Sequence, residues 1–203
     1  MRPTWIITAF DEFDERPENY SREVLNTLKP LLLEKLGHII DFEFLIVPTI
    51  YSECSKPILQ KVKEIENLQG VLALGEGAEI FQFETIARNI QHEPEVGDNS
   101  GVVLSNTPIN ILGPSVIDFN FPIEYFFTTQ EIADGIELSD DAGTFVCNRL
   151  CYDLAIESQM RSFNFGFIHV PCFDQAEDAG WSKERCAGVI MRGFERMIAS
   201  QKM

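Results

Sequence analysis

Hydrophobic and polar residues follow two patterns along this chain. Short apolar runs closed by acidic residues, Gly or Pro predict strands at 4–10, 39–47 and 70–74, around Glu84, and at 163–170. Apolar residues at helical spacing predict helices at 21–36, 57–67, 144–157 and 182–199. Gly37 is expected to close the first helix, and Pro30 to kink or break it.

Strands that alternate with helices predict an α/β fold. We expect a three-layer α/β/α sandwich around a largely parallel, twisted sheet, with reactive groups at strand ends and helix starts. At 203 residues and 45% hydrophobic composition, the chain can bury one substantial core. No linker or repeat interrupts it, so a single domain over 1–203 is predicted.

Charge and cysteine content narrow the classes of function. A formal net charge of −16 argues against nucleic acid and against anionic membrane surfaces as partners. The sequence has no apolar stretch long enough to span a membrane and shows no secretion signal at its start. Five cysteines, an odd number without a framework spacing, suggest reduced thiols and a cytoplasmic location.

The segment 142–148 carries the first candidate for chemistry. Cys147 follows a small-residue turn and stands at the start of the predicted helix, where amide N–H groups and the helix dipole favour a thiolate. Ser139, Asp140 and Asp141 are each expected to be able to cap that helix, and Gly143 permits a tight entry. An arbitrary cysteine more often packs as a small hydrophobe, so this position alone leaves both roles open.

Two further residues fit a nucleophile–base–acid set with Cys147. His169 stands near the end of an apolar strand, where a structural bond to a backbone carbonyl would satisfy it as well as a catalytic partner. Glu84 lies in another apolar run and could orient that imidazole. The alternative for Glu84 is a surface ion pair with Arg88, four residues on. A zinc site is not expected, because Cys147 and Cys151 lack a second Cys/His pair.

Taken together, these segments resemble the pyroglutamyl peptidases, cysteine peptidases with a Glu/Cys/His triad. Their Ser-Ala-Gly-x-x-x-Cys-Asn segment matches 141–148 with Asp141 in place of the serine, and Gly-Phe-x-His-Val-Pro matches 166–171. Their Glu-Arg-x-Ala-x-Asn segment matches 84–89 with Thr85 in place of the arginine. Weaker matches in the same order cover most of the chain, at 9–14, 47–51 and 98–101.

The resemblance implies a reaction and its residues. Cys147 would attack the carbonyl that follows an N-terminal pyroglutamyl residue, His169 would act as acid and base, and Glu84 would orient it. The expected substrates are peptides with N-terminal pyroglutamate, and no metal or other cofactor is expected. Family members often form homotetramers, so the resemblance implies a tetramer or dimer. The region 127–142 is expected to be too short for the helix and strand that normally precede the nucleophile segment in the family, and its shortening could remove such an interface.

The same resemblance assigns the substrate pocket, where this chain departs from the family pattern. Phe10 and Phe13 occupy the positions that flank the lactam ring, although ordinary core packing would explain them equally well. The family motif around them has Gly, Pro and Gly where this chain has Ala9, Glu12 and Asp14. Glu76 stands at a glutamine position, where its carboxylate could accept a hydrogen bond from the lactam N–H and repel an open-chain glutamyl group.

These departures keep two alternatives to a pyroglutamyl peptidase open. One is a cysteine hydrolase of the same fold that acts on another small acyl or lactam group. The other is a non-catalytic binding protein that retains the fold. The retained Glu/Cys/His set argues against a non-catalytic binding protein. The altered segment 75–80 supports the alternative of a hydrolase with a different substrate.

Overall fold

A computed structural model describes residues 1–13, 16, 18–78, 80–172 and 180–200. The predicted strands and helices are all present, the first strand with the predicted ends and the others with shifted ends, together with short elements that the pattern did not predict. The strands are β1 (Thr4–Phe10), β2 (Asp41–Val47), β3 (Leu68–Ala78), β4 (Gln82–Glu84), β5 (Ile86–Arg88), β6 (Gln91–Glu93), β7 (Leu104–Thr107), β8 (Val116–Asp118), β9 (Glu137–Ser139) and β10 (Asn164–Pro171).

Four long helices and two short ones complete the described fold. They are α1 (Tyr20–Leu36), α2 (Lys56–Glu64), α3 (Ile123–Phe126), α4 (Thr129–Ala133), α5 (Val146–Arg161) and α6 (Lys183–Ser200). Within the ranges that the structure describes, none of these helices combines the length and the apolar character needed to cross a bilayer.

The central sheet has six strands in the order β2-β1-β3-β10-β4-β9. The pairs β2/β1, β1/β3 and β3/β10 are parallel, whereas β4 runs antiparallel to β10 and carries β9 parallel to itself. The prediction of an α/β fold with a largely parallel sheet is confirmed, with one reversal at β10/β4. That reversal places Gln82, the first residue of β4, opposite His169 near the carboxyl end of β10, and Glu84 opposite Phe167.

Side chains alternate across the sheet and form two cores. On β3, Leu72 and Leu74 face a core shared with α1 and α6, while Val71 and Ala73 face a core shared with α2 and α5. Helices therefore cover both faces of the sheet, as the alternating pattern predicts. The second core lies directly under the start of α5, where Cys147 stands.

Pro30 does not break the first helix, contrary to one of the two outcomes that the sequence predicts. Helix α1 runs without a break from Tyr20 to Leu36, and Gly37 closes it by donating its N–H to the carbonyl of Leu33. Pro30 lies on the exposed side of α1, while a buried leucine and valine stripe holds the opposite side against the sheet. Packing of that stripe outweighs the loss of one backbone hydrogen bond at the proline.

The region 127–142 seats a helix and a strand after all, contrary to the expectation that it is too short. The five residues of α4 and the three of β9 fit there because both elements are minimal. A capping box closes the start of α4, where the side chain of Thr128 accepts from the Glu131 N–H and Glu131 binds back to the Thr128 N–H. Strand β9 then adds the last edge to the sheet beside β4.

Two glycines of α6 provide a test of how this helix packs. A Cβ at Gly193 would lie 2.6 Å from the ring of Phe126, whereas a Cβ at Gly188 would meet only the end of the Arg192 side chain, at 3.3 Å. We expect Gly188→Ala to stabilise the protein by about 0.5–1 kcal/mol through helix propensity. Gly193→Ala should destabilise it by about 1–3 kcal/mol, because overpacking outweighs the same gain. Urea unfolding of both variants measures the difference, and stabilisation by both would show that α6 does not pack on α3.

Candidate active site

Cys147 lies in the first turn of α5, partly exposed. The expected caps do not cap this helix, because Phe145 occupies the N-cap position and makes no side-chain cap. Instead Ser139 Oγ accepts the Asp141 N–H, and Asp141 Oδ1 accepts the Gly143 N–H, so these side chains build the preceding turn. Gly143 has a φ of 74° there, which permits the tight entry. The first amides of α5 therefore have no side-chain cap beside the thiol.

Asn148, the residue after the thiol, fixes the start of α5 to the rest of the molecule. Its side chain is fully buried and accepts the Arg88 N–H at 2.9 Å. It also donates to the carbonyls of Arg88 and Ile90, at 2.8 Å each. This anchor explains the asparagine of the Cys-Asn pair, a role that the sequence did not reveal because its partners lie 58 and 60 residues away.

His169 lies near the carboxyl end of β10, and the end of β3 provides the space around it. Residue Gly75 on β3 is its register partner, and a Cβ built on Gly75 would lie 3.1 Å from Cys147 Sγ and 2.6 Å from the Phe167 ring. A Cβ on Gly77 would lie 3.8 Å from His169 Nε2. The glycine at 75 therefore leaves room for the thiol above the sheet, and the thiol and the imidazole lie near two β3 glycines that are two positions apart.

Glu84 is fully buried, and its Oε1 lies 2.7 Å from His169 Nδ1. The antiparallel register explains this contact: Glu84 pairs with Phe167 and Gln82 with His169, so Glu84 and His169 are diagonal neighbours on one face. The ion pair with Arg88 that the helical spacing allowed does not form, because the segment is extended and Arg88 instead pairs with Asp141. The Phe167 ring stands edge-on to the imidazole, with centroids 4.8 Å apart.

The electrostatics of the pair favour a charged imidazole. Burial alone would lower the pKa of His169, but hydrogen bonds to Cys147 and Glu84, together with the negative charges of both groups, outweigh it and raise the pKa to about 10. The imidazole therefore binds Glu84 through Nδ1 and is hydrogen-bonded to Cys147. This geometry can keep a thiolate beside a proton donor, which is what acyl transfer by a cysteine requires.

The remaining cysteines differ from Cys147 in their surroundings. All five lie among the described residues and none forms a disulfide. Burial raises the pKa of the Cys54 and Cys151 thiols well above the ordinary value, and that of Cys186 to about 12. Cys172 is half-buried, at the last described position after β10. In the described ranges, no group of three or more His, Cys, Asp or Glu side chains is arranged to hold a metal ion.

A pocket of about 230 Å³ opens beside Cys147. Both predicted aromatic residues line it, Phe10 from the end of β1 and Phe13 from the segment that follows. The Phe13 ring lies 5.2 Å from that of Phe145, which contacts Tyr51 edge-on at 5.3 Å. Sequence reasoning missed Phe145 as a pocket residue, although its place two residues before the thiol pointed to it. Asp14, the third departure from the motif, lies outside the described residues.

Glu76 also lines the pocket, but its carboxylate is engaged. Its Oε1 lies 2.7 Å from Arg16 Nη1, and its Oε2 accepts the N–H of Tyr20, at the start of α1, at 2.6 Å. The Glu76 side chain is 2% exposed and that of Arg16 is 41% exposed. Sequence reasoning missed this ion pair, because nothing in the local sequence links two residues that are 60 positions apart. Glu76 was expected to present a negative charge to a substrate. In the structure, Arg16 compensates that charge within the pocket wall.

Pyroglutamyl peptidases are among the solved structures that share this fold. The chain superposes on a mutant pyrrolidone carboxyl peptidase from Pyrococcus furiosus with a TM-score of 0.81 at 20% identity, over 98% of this chain and 99% of that one. Pyroglutamyl peptidase I from Bacillus amyloliquefaciens gives a TM-score of 0.76 at 23% identity, over 96% and 92% of the two chains. At these identities the likeness establishes the fold.

Sequence comparisons establish the family. A pyrrolidone-carboxylate peptidase from Staphylococcus carnosus is 31% identical, over 96% of this chain and 91% of that protein. One from a Thermoanaerobacter species is 32% identical, over 95% of each. The family model for pyroglutamyl peptidases matches residues 4–189. The resemblance carried by the cysteine and histidine motifs is thereby confirmed: the chain belongs to the pyroglutamyl peptidase family.

Proposed function

We propose that this protein removes N-terminal pyroglutamate from peptides by acyl transfer through Cys147, His169 and Glu84. The observation that carries the proposal is the buried Glu84–His169 pair beside a partly exposed thiol at a helix start. An aromatic pocket of about 230 Å³ adjoins that thiol, which suits a small, flat, uncharged ring. Relatives at 31% and 32% identity carry the name pyrrolidone-carboxylate peptidase.

In the first step the Cys147 thiolate attacks the carbonyl carbon of the peptide bond that joins the pyroglutamyl residue to the next residue. A C–S bond forms, the carbonyl oxygen takes the negative charge, and the C–N bond to the next residue then breaks. The imidazolium of His169 gives its proton to the departing amine, which leaves a thioester and a neutral imidazole. Glu84 acts through His169 by orienting the ring and stabilising its charged form.

In the second step water releases the acyl group. The neutral imidazole of His169 takes a proton from a water molecule, whose oxygen attacks the thioester carbonyl. The C–S bond then breaks, free pyroglutamate leaves, and Cys147 returns to a thiolate beside the imidazolium. One water molecule is consumed for each peptide bond cleaved.

Backbone amides at the start of α5 are the groups best suited to bind the oxyanion. Phe145 occupies the N-cap position and makes no side-chain hydrogen bond to this helix. The N–H groups of the first turn, which includes Cys147, are therefore uncapped by a side chain and lie at the positive end of the helix dipole. Donors fixed in this way stabilise charge as it develops.

Location and assembly complete the proposal. The absence of disulfides among the five cysteines supports the cytoplasm, where thiols stay reduced. The proposal of a homo-oligomer, either a tetramer or a dimer, rests on the oligomeric state that is common in the family. Analytical ultracentrifugation measures it directly.

A panel of fluorescent amides tests the proposed substrate against the alternatives. We expect release of the amine from a pyroglutamyl amide, much slower release from prolyl and glutamyl amides, and loss of all release after treatment with a thiol alkylator. Turnover of another acyl amide in preference to pyroglutamyl would favour the alternative hydrolase. No turnover of any member, with the thiol intact, would favour the binding protein.

Substitution of Cys147 tests the nucleophile. Cys147→Ala should abolish turnover and leave thermal unfolding unchanged, because the side chain is only partly buried. Cys151→Ala is the matched control on the same helix. It removes a fully buried thiol and should lower stability while the folded enzyme keeps its turnover. Full activity of Cys147→Ala would rule out the mechanism.

The pH profile of the reaction tests Glu84. His169, with its pKa raised to about 10, stays protonated through neutral pH, and kcat/KM should fall as pH rises through that value because the leaving amine loses its acid. Glu84→Gln removes a negative charge that raises this pKa, so the alkaline fall should begin at lower pH. Glu195→Gln, an exposed change on α6, is the control. Identical alkaline limbs in Glu84→Gln and parent would disprove the triad assignment.

Truncation of Phe13 tests the aromatic wall. Phe13→Ala should raise KM at least severalfold with a smaller change in kcat, because an aromatic face contributes about 1 kcal/mol beyond simple burial. Phe10→Ala should act in the same direction, provided the variant still unfolds cooperatively. Phe44→Ala removes a half-buried ring on β2, outside the pocket, and should leave KM unchanged. An unchanged KM in Phe13→Ala would place the substrate elsewhere.

A further inference from the structure

We propose that Arg16 determines the specificity of this pocket by donating a hydrogen bond to the lactam carbonyl oxygen of the pyroglutamyl group. The inference rests on the proposed function and concerns the same pocket. Arg16 lines it together with Phe10, Phe13 and Cys147. The two rings can cover the faces of the lactam, but a carbonyl oxygen taken from water into such a site also needs a donor.

The ion pair fixes the guanidinium without consuming it. Glu76 is held by the Tyr20 N–H and is nearly inaccessible, so its carboxylate serves as a buried anchor. Arg16 binds that anchor through Nη1 and keeps 41% of its side chain exposed. A guanidinium carries five N–H donors in a rigid plane, and one of its nitrogens is committed to Glu76. The remaining donors are available to a ligand.

Other polar side chains that line the pocket are less suited to this task. Asn19 Nδ2 donates to the carbonyl of Asp11, and its Oδ1 accepts from Ser21. The Thr49 hydroxyl donates to Asp11 Oδ1 at 2.8 Å. The second Nδ2 N–H of Asn19 belongs to a residue that is only 6% exposed. Among the lining residues that the structure describes, Arg16 is therefore the exposed side chain with donors to spare.

The ion pair also links Arg16 to the aromatic wall. The Arg16 N–H donates to the carbonyl of Phe13 at 3.2 Å, so a backbone hydrogen bond links the two residues directly. Arg16 is thus held at its backbone by Phe13 and at its guanidinium by Glu76 on β3. Recognition of the ring and of the carbonyl oxygen is therefore linked through Phe13 and Arg16.

Replacing one atom of the substrate tests the proposal. The probes are a pyroglutamyl amide and the matching 5-thioxoprolyl amide, in which sulfur, a weaker acceptor, replaces the lactam carbonyl oxygen. The ratio of kcat/KM for the oxo over the thioxo substrate should fall about tenfold to a hundredfold in Arg16→Met, the range for a hydrogen bond from a charged donor. Arg16→Lys should restore part of the ratio. The rate of Cys147 alkylation by iodoacetamide, which carries no lactam, should stay unchanged.

Two further variants keep the result interpretable. Arg16→Met leaves the Glu76 carboxylate without its cation, so Arg16→Met/Glu76→Gln removes both charges and should lose the same ratio. Arg22→Met is the matched control, since this arginine is ion-paired with Glu12, is 39% exposed and lies outside the pocket. Its ratio should equal the parent's. An oxo/thioxo ratio that survives in both Arg16 variants would overturn the inference, whereas a parent that cleaves no pyroglutamyl amide would overturn the proposed function.

Discussion

The arrangement of this molecule depends on one buried carboxylate. Glu84 is fully buried, and among the described residues its only hydrogen-bond partner is His169, so that Oε2 has none. An ionised carboxylate in such a place costs several kcal/mol unless a charge compensates it. The imidazolium of His169 supplies that positive charge, and it is also the positive charge that a thiolate needs nearby. The stability of this site and its chemistry therefore both require that the fold hold the His169 imidazolium beside Glu84.

The antiparallel pairing of β4 with β10 brings these two groups together. Strand β4 begins only four residues after the end of β3 and runs antiparallel to β10, and this register places Glu84 diagonally across from His169 on the same face. On the other side of β10, the glycine at position 75 lets the thiol approach, since any side chain there would contact Sγ and the Phe167 ring. Asn148 then fixes the helix that carries the thiol. Each of the three site residues is thus positioned by a different element.

The sequence predicts the parts of this design that are local. Apolar runs and helical spacing gave the main strands and helices, and the cysteine and histidine motifs gave the family. Local rules failed where a distant contact decides. Pro30 stays within α1 because a buried stripe outweighs one lost hydrogen bond, and Asp141 caps a turn and pairs with Arg88 instead of capping α5. The contacts of Glu84 depend on a strand pairing that spans 85 positions of the chain. No periodicity reports such a pairing.

In the pocket, the charge introduced by a changed motif residue is compensated by another residue. A glutamate at position 76, where the family has glutamine, would leave an anion beside the substrate if nothing else had changed. Arg16 and the first amide of α1 compensate it, and the charge that reaches the pocket is the arginine's. Removing Arg16 alone would leave the buried Glu76 carboxylate without its cation, while removing both charges would give a neutral wall. The two positions are therefore coupled, and a departure at one residue of a binding motif is interpretable only together with the distant residue that neutralises it.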